Sequence, residues 1–86
     1  MKVQMDSCKI TMENGTVLHL TYYLLSDGER FGVEIRCRDG DAESADSISD
    51  LTGNRVRAEE LIRMLCRGSV TPLSLRDVLY DWICTI

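Results

Sequence analysis

Two short polar pairs, Asn14-Gly15 and Asp27-Gly28, each stand between runs of apolar and β-branched residues, and they constrain this chain more than any other feature in it. Asn-Gly and Asp-Gly tolerate the backbone of tight hairpin turns. The stretches "CKITMENGTVLHLTYYLL" and "LLSDGERFGVEIRC" therefore read as successive hairpins. Three strands joined in this way form an antiparallel meander, expected over about 3–12, 16–25 and 29–38.

Period-two alternation sets the faces of these strands. With Asp27-Gly28 as a two-residue turn, Leu24 falls opposite Phe31, Tyr22 opposite Val33, Leu20 opposite Ile35 and Leu18 opposite Cys37, all apolar pairs suited to a core face. In the first hairpin, a two-residue turn would set Thr11, Lys9 and Ser7 against Leu18, Leu20 and Tyr22. A three-residue loop, Glu13-Asn14-Gly15 with Gly15 left-handed, instead places Ile10 opposite Leu18 and Cys8 opposite Leu20.

The opposite face then shows Val17, His19, Thr21, Tyr23 and Leu25 beside Arg30, Gly32, Glu34, Arg36 and Arg38. Tyr23 is expected across from Gly32, its ring covering bare backbone, and His19 near Arg36. The mixture of rings and guanidinium groups makes Tyr23, His19, Arg36 and Arg38 one candidate partner surface. The plainer reading is a solvated outer face.

The second half has helical periodicity. Asn54 caps a helix over about 55–67 that ends at Gly68, read as a left-handed C-cap; Ala58, Leu61, Ile62 and Leu65 make its apolar face, and Glu59 and Arg63 an exposed pair. A second helix over about 72–84 opens with Thr71 as N-cap and Pro72 in its first turn. Leu75, Val78, Leu79, Trp82 and Ile83 form its stripe, with Trp82 the largest expected contributor to burial. The fold class is thus α+β: a three- to four-stranded antiparallel meander followed by two C-terminal helices packed on one sheet face, in a single domain over 1–86.

Between sheet and helices the charge is lopsided. Residues 1–38 balance, whereas 39–50 hold Asp39, Asp41, Glu43, Asp46 and Asp50 without a base. Those acids do not make a calcium loop, because Ser44 stands where the loop needs glycine and no glutamate closes it. The segment reads as a polar hinge, with "ADSISDL" offering a short fourth strand over 45–50. A formal charge of −4 also disfavours non-specific attraction to nucleic acid or anionic lipid.

Cys8, Cys37, Cys66 and Cys84 lack metal-ligand spacing and His19 has no ligand neighbour, so no metal or cofactor is expected and the thiols read as buried and free. No apolar run approaches membrane-spanning length and the N-terminal residues alternate, which points to the cytoplasm. No nucleophile elbow, P-loop, dinucleotide turn or zinc-protease helix occurs. His19 and Cys37 fall on opposite sheet faces, which disfavours cysteine–histidine catalysis.

Asp77 and Asp81 stand one turn apart on the second helix, away from its stripe, with Tyr80 beside them and Arg76 within reach of Tyr80. Paired carboxylates do acid–base work only when desolvation separates their pKa values, and nothing in the sequence supplies that. They form a solvated face or an acidic docking edge for a basic partner.

The segments "YYLL", "GERFGVEIRC", "ADSISDL" and "VTPLSLRDVLYDWI", in that order, resemble a group of short uncharacterised Firmicutes proteins gathered as a domain of unknown function. The most specific part is Val-x-Pro-x-x-Leu-x-Asp-Val-x-x-Asp, matched by Val70, Pro72, Leu75, Asp77, Val78 and Asp81. The group's pattern has histidine where Ser74 stands and often tyrosine where Phe31 stands. The resemblance implies a bacterial cytoplasmic origin and carries over nothing catalytic.

The leading expectation is a small intracellular protein-interaction module without enzymatic activity, its partner another protein or a second copy of itself. Its candidate surfaces are Asp77, Asp81 and Tyr80 on the helix and Tyr23, His19, Arg36 and Arg38 on the sheet. The alternative is a nucleic-acid-associated regulator using the basic and aromatic sheet face, and an enzyme with a site shared between subunits is a third reading.

Overall fold

The computed structural model describes residues 1–84. Strands β1 (Lys2–Thr11), β2 (Val17–Asp27), β3 (Arg30–Asp39) and β4 (Ala42–Thr52) form one antiparallel sheet in sequence order. Helix α1 (Arg55–Arg67), a 3-10 turn (Pro72–Ser74) and helix α2 (Leu75–Cys84) follow. The thinnest extent, 16 Å, accommodates two layers, so one face of the sheet carries the helices and the other faces solvent.

Each tight turn is set by a glycine at positive φ. In the first loop Gly15 (φ 88) lets its N–H reach the Met12 carbonyl at 2.9 Å while the Met12 N–H donates to Thr16 at 2.7 Å, giving the three-residue loop with Ile10 opposite Leu18 and Cys8 opposite Leu20.

The second turn differs from the sequence expectation. Asp27 pairs with Arg30, so the turn residues are Gly28 and Glu29, and Gly28 (φ 65) occupies the first central position that a II′ turn reserves for glycine. The register is displaced by two residues, with Leu20 opposite Cys37 and Leu24 opposite Val33. A two-residue displacement leaves each side chain on its face, so the core face survives with changed pairings. Tyr23 consequently lies opposite Glu34 rather than Gly32, and His19 opposite Arg38.

Asp39-Gly40 then repeats the device. Gly40 (φ 59) turns the chain so that Asp39 pairs with Ala42, and the supposed acidic hinge is a complete edge strand of 11 residues. Its acids are held by bases elsewhere: Glu43 by Arg36, Asp46 by Arg76 and Asp50 by Arg30. Both edge strands carry a register break, at Met5 in β1 and beside Asp50 (φ 57) in β4. Gly32 explains the second break. An added Cβ there would overlap the Ile48 carbonyl oxygen and lie 2.7 Å from the Ser49 Cα, so only glycine permits this approach of β4.

The core lies between sheet and helices. Leu20, Tyr22 and Leu24 from β2 and Val33, Ile35 and Cys37 from β3 meet Ala58, Leu61, Ile62 and Leu65 from α1 and Leu75 and Leu79 from α2. Tyr22, not Trp82, is the largest fully buried side chain; Trp82 is half-buried and Ile83 exposed, because a ten-residue α2 rests partly on α1 and turns one flank outward.

Helix ends account for the remaining differences. The Asn54 side chain accepts from the Arg57 N–H at 3.2 Å, as an N-cap should. At the other end of α1 the left-handed residue is Ser69 (φ 52), not Gly68 (φ −87). The N–H groups of Val70 and Ser69 bond the carbonyls of Leu65 and Cys66 at 3.0 Å each, the paired closure of a Schellman motif. Thr71 makes no side-chain cap, because Pro72–Ser74 winds as a 3-10 turn before α2 begins. Glu59 bonds Arg55 at 3.1 Å rather than Arg63, and Arg76 reaches Asp46 rather than Tyr80.

Candidate functional site

The two proposed surfaces lie on opposite sides of the molecule. On the open sheet face, β2 and β3 bring His19, Tyr23, Arg36 and Arg38 together around a shallow depression of about 300 Å³ that Thr21 and Glu43 also line. A chain of ion pairs crosses it. Lys2 Nζ lies 3.1 Å from Glu34 Oε2, Arg36 Nε lies 2.8 Å from the same oxygen, and Arg36 Nη1 lies 3.0 Å from Glu43 Oε1.

Partial burial opposes ionisation of Glu34, but the bonds from Arg36 and Lys2 outweigh it and hold its carboxyl below the usual range. The Glu34 and Glu43 carboxylates in turn raise the Arg36 guanidinium. Lys2 Nζ also sits 4.9 Å from the centroid of the Tyr23 ring. An incoming phosphate would have to displace Glu34 and Glu43 from Arg36 before using it. Lys2, Glu34 and Glu43 were not among the sequence candidates; their roles depend on a register and a fourth strand that alternation alone did not set.

On the helix layer, Asp77, Tyr80 and Asp81 project from the outer side of α2, all exposed, Tyr80 at 71%. Neither aspartate takes part in an ion pair among the described residues. Both side chains are open to solvent. Beside them runs a groove of about 300 Å³ lined by Met64, Val78, Asp81 and Trp82. The Arg57 guanidinium lies over the Trp82 ring, 5.3 Å from its centroid. The sequence reading did not single out Met64, although Arg57 and Met64, seven residues apart on the flank of α1, carry the periodic signal for it.

A third polar group lies under the end of α1. The Tyr22 hydroxyl donates to the Val70 carbonyl at 2.9 Å, while Cys8 Sγ lies 3.9 Å from Tyr22 Oη and 4.0 Å from Ser69 Oγ. Burial, then Asp6 and Cys8 nearby, push the Cys66 thiol up to about 12, and burial likewise raises the Tyr22 phenol and the Cys37 thiol. The cluster ties the reversal between the helices to the sheet. All four cysteines are free, but only Cys37 is buried; Cys8 and Cys66 are half-buried and Cys84 is exposed.

His19 and Cys37 point to opposite faces, and among the described residues no cluster of three or more His, Cys, Asp or Glu side chains could hold a metal. Among the same residues no helix is long and apolar enough to cross a membrane.

Comparison with protein families matches residues 1–85 to a family of unknown function, DUF6514. This chain belongs to that family. No curated protein and no solved structure matches it. Family membership covers β1 through α2, so the sheet face and the helix groove both fall within the shared domain.

Proposed function

We propose that this member of the DUF6514 family is a small intracellular binding module without a catalytic role, engaging a protein partner through its helix layer. One contrast carries the reading: on the sheet face Lys2, Glu34, Arg36 and Glu43 pair with one another, whereas the helix layer leaves apolar side chains and carboxylates open side by side. Met64, Tyr80 and Ile83 are 41%, 71% and 54% exposed there, adjoining Asp77 and Asp81. An apolar floor with a charged rim is the usual make-up of a protein-binding patch. The nucleic-acid alternative has less support, since Arg36 and Arg30 are both engaged by carboxylates and Arg38 is left to act largely alone.

The test is a tagged capture from lysate of the native host, comparing the native protein with an Asp77→Ala/Asp81→Ala variant whose fold is checked by circular dichroism. Loss of a specific protein from the variant is the expected result. Return of the same proteins in equal amount would overturn the assignment to the helix layer.

A further inference from the structure

We propose that the groove between α1 and α2 is a homodimer interface, in which α1 of each copy lies over α2 of the other. The inference rests on the binding-module reading and names the partner as a second copy of this chain.

The chain reverses within the seven residues between α1 and α2, and Arg57, near the start of α1, stacks on Trp82, near the end of α2, while Met64 shares the groove with Val78, Asp81 and Trp82. The two helices therefore run antiparallel, with Met64, Val78 and Trp82 as an apolar floor between them. Each helix lifts a charged ridge beside that floor. On α1 it holds Arg63 and Arg67, four residues apart and opposite the buried Ala58, Leu61, Ile62 and Leu65. On α2 it holds Asp77 and Asp81, also four apart and opposite Leu75 and Leu79. None of these four charged groups has an ion-pair partner among the described residues, and all four are exposed. Glu60 shares the α1 ridge, which stays net positive.

One copy thus presents a basic bank and an acidic bank of matching spacing, separated by an apolar channel. Two copies can meet face to face about a two-fold axis in either of two ways. An axis across the channel stacks α1 on α1 and α2 on α2, setting arginines on arginines and aspartates on aspartates. An axis along the channel stacks α1 on α2, antiparallel, so that Arg63 and Arg67 of each copy oppose Asp77 and Asp81 of the other. Charge selects the second arrangement, which also closes four helices into a bundle around Met64, Val78 and Trp82 from both copies.

Area sets the strength. An α1 of 13 residues is about 20 Å long, and two helices about 10 Å apart present a footprint on the order of 400 Å² per copy. That is below the roughly 800 Å² per partner of a standard-size interface, so dissociation is expected in the micromolar range.

The experiment is sedimentation velocity on the full chain, diluted from hundreds of micromolar to below one micromolar, alongside fluorescence of Trp82, the single tryptophan. The expected result is a mass that rises from one chain to two with concentration, with Trp82 emission shifting to the red on dilution. Met64→Asp, Arg63→Glu/Arg67→Glu and Asp77→Arg/Asp81→Arg should each weaken association at least tenfold. All alter exposed positions, and circular dichroism confirms their folding. The four-residue swap combining both charge reversals should recover association to within about threefold of the native chain, because basic and acidic banks again oppose each other.

A native chain that stays monomeric throughout overturns the proposal. So does a dimer indifferent to Met64→Asp, or a swap variant that fails to recover. A monomer that still loses a host protein on Asp77→Ala/Asp81→Ala would leave the binding-module reading standing without this partner.

Discussion

The open face of the sheet and the outer surface of the helix layer have similar chemistry and opposite states. Both carry arginine, carboxylate and aromatic side chains. On the sheet, Lys2, Glu34, Arg36 and Glu43 are consumed by one another, and Asp50 is engaged by Arg30. On the helices, Arg63, Arg67, Asp77 and Asp81 have no ion-pair partner among the described residues. A polar surface that satisfies itself contributes to folding, and one that does not is available to a partner.

The contrast breaks hardest at Gly32. Gly32→Ala forces a Cβ into the backbone of β4, and a loss of at least about 2 kcal/mol is expected in chemical denaturation, with the neighbouring Arg30–Asp50 ion pair disrupted as well. Next comes Glu34→Gln, which removes the carboxylate shared by Lys2 and Arg36 and should cost about 1 kcal/mol at neutral pH.

That cost has a definite pH dependence. Glu34 and Asp46 have folded values below their ordinary 4.5 and 3.8, Glu34 through Arg36 and Lys2 and Asp46 through Arg76, so both stabilise the fold above the ordinary values. The contribution is lost as pH falls further, through the folded values. The gap between the native chain and Glu34→Gln should therefore narrow under acid, as thermal melts from pH 7 to pH 2 would show.

A smaller effect of opposite sign is expected where the helix layer carries its own backbone strain. Ser69→Gly relieves a left-handed residue and should raise stability by up to about 1 kcal/mol, whereas Gly68→Ala should stay within about 0.5 kcal/mol of neutral, since a Cβ there meets nothing closer than the Met64 carbonyl at 3.5 Å. Denaturation midpoints decide between these positions. Smallest of all is Asp77→Ala/Asp81→Ala, which should change stability by less than about 0.5 kcal/mol while abolishing capture of a partner. A large loss of stability would place those aspartates in the fold's own support.

Much of this architecture could be read from residue order. The meander, the inward set Leu20, Tyr22 and Leu24, the bulged first loop and the apolar face of α1 follow from alternation, glycine placement and helical spacing. What escaped depended on distant partners. β4 is rich in serine and acids and reads as a linker until Arg30, Arg36 and Arg76 are brought beside it by other elements. The second register slipped by two because alternation is indifferent to such a shift and only the backbone of Gly28 decides it. Asp77, Tyr80 and Asp81 were visible as an exposed edge, but the groove beside them requires Met64 from the other helix, which no local pattern on α2 contains.

The breaks at Met5 and beside Asp50 bear on how this domain behaves when crowded. Outer strands normally offer a straight row of unpaired amides on which a neighbouring chain can add, layer upon layer, toward a fibre. Here each outer strand is kinked by its bulge, with Lys2 and Lys9 along one and Glu43 and Asp50 along the other. Growth by lateral strand addition is discouraged at both ends of the sheet, and the chain can reach high concentration as discrete particles rather than as filaments.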